Sequence, residues 1–321
     1  MPRLLALASH LPEKVLSNQE LADRFPPWTA EKIYIKTGIT ERRVASKVET
    51  ASDLAASAAR KLLAQPGVNP DQIDMLLFVT QTPDQALPTT ACSIHYKLGL
   101  PRTCGALDLN QGCSGYIYGL AVANGLIASG ACRQVLLLTG DTYTKLIDPY
   151  DRSVATIFGD GATATLVGQD EYGCNPGIGL CRFGTDGEGG NLLHCDYSGW
   201  RVPIAEQKFL RMDGSGILAF TLGVLPQALT NYLAETNSTL DDFDFVVFHQ
   251  ANQFILDRLY SKMNIGAKGV VSMRHSGNTV SSSIPIALET LLPINYNVAP
   301  RQILLAGFGV GLSWGFTTIL F

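Results

Sequence analysis

Cys113, His249 and Asn278 lie far apart in a chain of 321 residues, inside the strings QGCSGYIYG, FHQAN and HSGNT. Each is expected where a strand hands over to a helix, which is where α/β proteins collect reactive groups. Cysteine is the nucleophile of the three. The segment 116–128, YIYGLAVANGLIA, is apolar around its whole circumference, so a buried helix is expected there. Unpaired N–H groups and the dipole at its start favour an anion, which lowers a thiol's pKa and leaves Cys113 a thiolate fit for covalent acyl transfer. Gly112 and Gly115 leave room beside the sulfur. Each residue also has a plainer reading. Cysteines are often small buried hydrophobes, a histidine after a strand is often structural, and an Asn–Gly-type loop is often only a turn. For the other six of the seven cysteines the plain reading is adopted.

Laying the second half of the chain over the first shows what could position these residues. DQIDMLLF at 71–78 matches DDFDFVVF at 241–248, an offset of 241 − 71 = 170, and RQVLLL at 133–138 matches RQILLA at 301–306, an offset of 301 − 133 = 168. The chain therefore reads as two copies of one α/β unit, 1–170 and 171–321. In the first copy the apolar pattern predicts strand 74–79, helix 89–98, strand 105–109, helix 113–129 and strand 134–139. Continuously apolar strands imply sheets covered on both faces. Two such units are expected to pack as a layered α-β-α-β-α sandwich with the most buried helices at its centre. His249 follows the strand ending at 248, and Asn278 is expected between a strand near 270–273 and a helix 283–292. A pseudo-dyad would then set the cysteine of one half opposite the histidine and asparagine of the other. Asp241 and Asp242 are expected to begin a strand.

Composition bounds the function classes. A hydrophobic fraction of 46% and a net charge of −4 describe a globular chain with no basic surplus for nucleic acid. An odd cysteine number without a C-x-x-C pair argues against a disulfide framework or zinc ribbon and for a reducing, cytoplasmic setting. The opening MPRLLALASH is too short an apolar run for a signal peptide. Residues 303–321 carry no charge and imitate a membrane span, but Gly307, Gly309, Gly311 and Gly315 interrupt them and the internal repeat explains them as buried strands, so no membrane insertion is expected. No cluster has metal-ligand spacing, and no metal is expected.

The three strings together resemble the thiolase-type condensing enzymes, in particular the β-ketoacyl-acyl-carrier-protein synthase III family. The resemblance runs the full length through Leu11-Pro-Glu13, Lys36-Thr-Gly-Ile-Thr-Glu-Arg42, Asp151-Arg152, Ile157-Phe-Gly-Asp-Gly-Ala162, Met212-Asp-Gly214 and Gly307-Phe-Gly-Val-Gly-Leu-Ser-Trp-Gly315. It implies that Cys113 takes an acyl group from an acyl-coenzyme A donor, and that His249 and Asn278 bind the thioester carbonyl of a malonyl unit, on acyl carrier protein or coenzyme A, while it loses carbon dioxide. The enolate so formed needs two neutral donors, because a charged acid nearby would protonate the carbanion. The resemblance assigns the acylation oxyanion hole to the N–H groups of Cys113 and Val310. The family usually has glycine at Val310, so this turn must either keep a negative φ there or reshape the hole.

Lys36, Leu87, Arg152, Gly214, Asn252 and Phe308 are carried over as substrate-binding residues, with Leu87 reaching into a partner's acyl tunnel in a homodimer and Phe308 on the active-site floor. No resident cofactor is implied. Lys32 stands where relatives carry a tryptophan that stacks on adenine, with Trp28 nearby and Arg152 on the other side of the clamp. Phe254 and Ala219 replace basic residues of the carrier-protein face, although Arg258 and Lys262 remain. Leucine at 87 in place of a bulkier aromatic suits a longer or wider acyl group, in a specialised acyl pathway as readily as in fatty-acid initiation. Two related readings stay open: a cysteine acyltransferase without condensation, and a silent subunit of a heteromeric synthase. The Gly311-Leu-Ser-Trp-Gly315 string imitates a serine-hydrolase elbow, but no acid or histidine follows it.

Overall fold

The computed structural model describes residues 1–169, 177–196, 209–291 and 301–320. The expected boundary at 170/171 and the expected helix end at 292 lie outside these residues. The first sheet runs in the order β1-β7-β6-β4-β5, with β1 at Pro2–His10, β4 at Met75–Val79, β5 at Gly105–Leu109, β6 at Gln134–Asp141 and β7 at Gly161–Gln169. A small ribbon pairs β2 (Val15–Ser17) with β3 (Glu41–Arg43). The second sheet runs β11-β12-β13-β8, with β8 at Arg182–Thr185, β11 at Phe245–Phe248, β12 at Gln302–Gly309 and β13 at Ser313–Leu320. A short ribbon pairs β9 (Leu193–His194) with β10 (Arg211–Met212).

The repeated segments land on equivalent strands. β4 and β6 are parallel neighbours, as are β11 and β12, and each pair continues into an antiparallel strand, β7 or β13. Asp241 and Asp242 do not begin a strand. They close a single 3-10 turn, Leu240–Asp242, in which Asp242 Oδ2 accepts the Thr239 N–H at 2.7 Å and delays the strand to Phe245.

The helices are α1 (Asn18–Arg24), α2 (Ala30–Thr37), α3 (Ala51–Leu63), α4 (Thr90–Leu98), α5 (Gly115–Ala128), α6 (Arg152–Ala155), α7 (Gly214–Glu235), α8 (Gln253–Lys262) and α9 (Ser283–Glu289). Side chains alternate faces along each strand, and both faces are covered. On β4, Leu76 and Phe78 meet Leu54 of α3 and Ile94 of α4, whereas Leu77 and Val79 point inward to Ile117 and Leu120 of α5. That inner cluster also takes Val247, Ile303 and Leu305 of the second sheet and Ile284 and Leu288 of α9. Beyond the second sheet, Val246, Phe248 and Leu304 meet Leu229 of α7 and Leu256 of α8. Five layers result, with α5 and α9 in the middle, and each fully buried Leu or Ile there contributes about 1.5–3 kcal/mol. The charge-free 303–320 stretch is the β12–β13 hairpin. Among the described residues, the helix long and apolar enough to cross a membrane is instead α7, which the sequence reading passed over; it packs Leu225, Leu229 and Tyr232 into the outer cluster.

Candidate active site

Cys113 sits between the end of β5 and the start of α5, with Ser114 as the residue preceding the helix. The chain of the other half passes over it. Ser114 Oγ and Ser313 Oγ are 2.8 Å apart, and a Cβ at Gly309 would lie 2.8 Å from the Cys113 sulfur. Glycine is required at 309 by that approach. The left-handed backbone of this turn falls on Gly309 (φ +156°) and Gly311 (φ +140°), so Val310 keeps a negative φ and a β-branched side chain is tolerated there. Its N–H reaches the sulfur, as does the N–H of Cys113 itself. The two donors expected for an oxyanion hole therefore converge on the nucleophile.

The expected thiolate is corrected. Burial pushes the Cys113 thiol up to about 12, and Asp141 nearby adds to the rise, while the two N–H bonds lower it only in part. An anion in a dry apolar cluster of Tyr143, Ile147, Phe158, Leu193, Leu210 and Val280 costs more than one helix end returns. The free sulfur is a protonated thiol.

His249 follows β11 directly, and its ring lies edge-on to Phe308 with centroids 5.6 Å apart. Burial lowers its pKa to about 3, a hydrogen bond to the Val280 backbone opposing, so the imidazole is neutral. Nδ1 is 2.7 Å from Ser283 Oγ, which also accepts the Gln250 N–H at 3.2 Å. Nε2 lies 3.4 Å from Asn278 Nδ2. The asparagine is not introduced by a strand. Where one was expected near 270–273, a single parallel bridge joins Gly269 to Val246 and the chain then makes a 3-10 turn, Met273–His275. Asn278 is instead held by the first half: its N–H donates to Ile157 O at 2.9 Å and its carbonyl accepts the Gly159 N–H at 3.0 Å. The Ile157-Phe-Gly run is thus a clamp for the opposite half's loop. Asn278 Oδ1 accepts the Val280 N–H at 2.9 Å, which leaves Nδ2 facing His249. Val280 is a fully buried β-branched residue at φ +54°, a conformation that persists only where the surroundings over-determine it.

A second polar group lies behind the sulfur. Asp141, wholly buried, accepts from the Gln81 N–H at 2.8 Å and from Ser281 Oγ at 2.6 Å, and burial pushes its carboxyl up to about 7. The Gln81 side chain in turn accepts the Tyr143 phenol hydrogen. Gln81, Asp141, Tyr143 and Ser283 escaped the sequence reading. The acid closing the apolar string LLLTGD and the serine run 281–283 before a buried helix were the available signals.

The carried-over contacts divide. Phe308 is beside His249. Arg152 stacks directly on Trp28 at 4.2 Å, and the ammonium of Lys32 stands 4.9 Å from the same ring. Asn252 caps α8, accepting the Ile255 N–H at 2.9 Å. Lys36 is exposed on α2, Gly214 opens α7 where an added Cβ would meet nothing within 4 Å, and Leu87 is 82% exposed. Among the described residues, no group of three or more His, Cys, Asp or Glu could hold a metal.

Residues 107–187 match the family described as 3-oxoacyl-[acyl-carrier-protein] synthase III, and residues 233–321 match its C-terminal part. A β-ketoacyl-[acyl-carrier-protein] synthase III of Chlamydia caviae is 36% identical over 97% of this chain and 94% of its own length. That of Natranaerobius thermophilus is 33% identical over 98% and 97%. A 3-oxoacyl-(acyl-carrier-protein) synthase III crystal structure superposes with a TM-score of 0.95 at 46% identity, covering 100% of this chain and 99% of that one. The priming β-ketosynthase of the R1128 polyketide pathway gives 0.90 at 32% identity, over 100% and 96%. With both halves matched and the layered fold shared, the chain belongs to the 3-oxoacyl-[acyl-carrier-protein] synthase III family of thiolase-fold condensing enzymes.

Proposed function

We propose that the chain joins a Cys113-bound acyl group to a malonyl unit by decarboxylative Claisen condensation, giving a 3-oxoacyl thioester. The observation that carries this reading is the neutral, buried pair of His249 Nε2 and Asn278 Nδ2, 3.4 Å apart. In the first half-reaction the Cys113 sulfur attacks the donor thioester, its proton leaves with the departing thiol, and the N–H groups of Cys113 and Val310 hold the transient oxyanion. In the second, the malonyl carboxylate leaves as carbon dioxide and its electron pair forms an enolate. Ser283 Oγ is free to give its proton to Nδ1, which keeps the other hydrogen on Nε2, so two uncharged donors face the enolate oxygen. The carbanion attacks the acyl carbonyl, forming the carbon–carbon bond, and the released sulfur regains a proton. No step needs a resident cofactor.

An acyl-coenzyme A is proposed as donor and acyl carrier protein as carrier of the extender. The carrier reading is supported by a groove of about 530 Å³ lined by Leu222, Phe254, Asp257, Arg258, Ser261 and Lys262, two cations against one carboxylate, in which the Arg258 guanidinium lies 4.2 Å over the Phe254 ring. A homodimer is supported by β5, whose outer edge has no strand partner among the described residues and whose Leu107 is exposed, and by the protruding Leu87. Two equivalent halves, 1–170 and 171–321, are supported by the sheets, since every strand of one ends by Gln169 and every strand of the other begins at or after Arg182.

The test separates the half-reactions. Asn278→Ala is expected to cut carbon dioxide release from malonyl thioester by about 10²–10³, while intact-mass spectrometry still finds an acyl adduct on Cys113. Adduct formation in the unaltered protein without any carbon dioxide release would favour plain acyl transfer instead.

A further inference from the structure

β4 and β6 are parallel neighbours, and Gln81 and Tyr143 each stand two residues beyond the end of their strand. Cys113 follows β5, the other neighbour of β4. Three adjacent strand ends therefore deliver a nucleophile, a carboxamide and a phenol to one place.

Both polar groups are held firmly. Gln81 is pinned through its N–H to Asp141, and its carboxamide reaches over Gly112, where an added Cβ would lie 2.4 Å from Oε1. Tyr143 donates its phenol hydrogen to that same Oε1. It is buried in the apolar cluster around Cys113, close enough to feel charge on the sulfur. A buried phenol costs free energy unless its polar atoms find partners, and an acyl chain laid over the half-buried carboxamide would cut that group off from water as well. Their mutual bond uses the phenol hydrogen and one lone pair of Oε1. The phenol oxygen's lone pairs remain, and among the described residues Gln81 Nε2 donates no hydrogen bond. A hydroxyl suits both leftovers at once: it gives its hydrogen to the phenol oxygen and accepts one from the carboxamide. A plain alkyl chain would bury both polar groups against carbon.

We infer that the acyl group loaded onto Cys113 carries a hydroxyl within its first few carbons, and that Gln81 and Tyr143 select it. The inference rests on the acyl-Cys113 reading above and names the donor class for it.

The test is a competition. The protein is offered equal amounts of 3-hydroxybutyryl- and butyryl-coenzyme A, with acetyl-coenzyme A as a separate control, and the adducts on Cys113 are resolved by intact mass. A preference of at least about tenfold for the hydroxyacyl donor is expected. Tyr143→Phe and Gln81→Met should each bring that ratio below about threefold. A ratio near one in the unaltered protein overturns the inference, as does a ratio unmoved in a folded variant of either residue. If neither variant folds, the ratio in the unaltered protein decides. No adduct from any of the three donors overturns the inference, and if a long-chain acyl-coenzyme A also leaves Cys113 bare the acyl-Cys113 reading fails with it. Adducts from acetyl or butyryl alone defeat only the inference.

Discussion

The chemistry of Cys113 is set by the balance between a helix start and a dry cluster, and the cluster wins. A thiol pushed up to about 12 exposes little thiolate at neutral pH, so alkylation by iodoacetamide should climb about tenfold per unit from pH 6 to 9 with no plateau. A plateau below pH 8 would restore the anion expected from sequence. The residue types were legible: cysteine, histidine and asparagine announced themselves by their strings, and the structure sets His249 beside Asn278. The protonation state was not, because the desolvation of one sulfur depends on side chains such as Leu193 and Val280 that no local pattern links to residue 113.

At the scale of elements, the Asn278 loop depends on the first half for its shape. A Cβ on Gly159 would lie 2.1 Å from Ser276 O, a backbone atom that cannot swing away. Gly159→Ala is therefore expected to cost about 1–3 kcal/mol in thermal or urea unfolding. It should also lower carbon dioxide release from malonyl thioester more than acylation of Cys113; equal losses would mean that the clamp does not act through Asn278. Strands 105–109 and 134–139 and the helix opening near 115 were readable because apolar periodicity and strand order are local or repeated. The strand expected at 270–273 failed because Val270 and Val271 suggested extended pairing, whereas only Gly269 bridges to β11. What shapes that segment are side chains from elsewhere, Tyr260 donating its phenol hydrogen to Val270 O at 2.8 Å and Gln250 Oε1 accepting the Ser272 N–H at 2.8 Å, contacts invisible to any window of sequence.

Among the described residues, two carboxyls are fully buried, Asp141 and Asp160, and burial pushes them up to about 7 and about 6 from an ordinary 3.8. Between pH 4 and 7 the folded protein then holds more protons than the unfolded chain. The stability these groups contribute is full below about pH 4 and is lost as pH rises through 7. Melting temperature should fall from pH 5 to 8 on this account, and Asp141→Asn should flatten the slope; an unchanged slope would show that Asp141 ionises freely. For assembly, light scattering should give twice the chain mass, and Leu107→Asp, a charge on the bare edge of β5, should halve it.

One contact bears on how such a molecule comes into being. The peptide groups that cradle the sulfur arrive from the far end of the polypeptide, at 309 and 310, and the amide that faces His249 is fixed by a loop from the near end. Neither half alone can own a working pocket. A nascent chain with only its earlier portion folded would leave Cys113 without the Val310 N–H and without Leu193, Leu210 and Val280 around it, so its thiol would be wetter and easier to ionise, and the oxyanion hole would be complete only once the two lobes close upon each other.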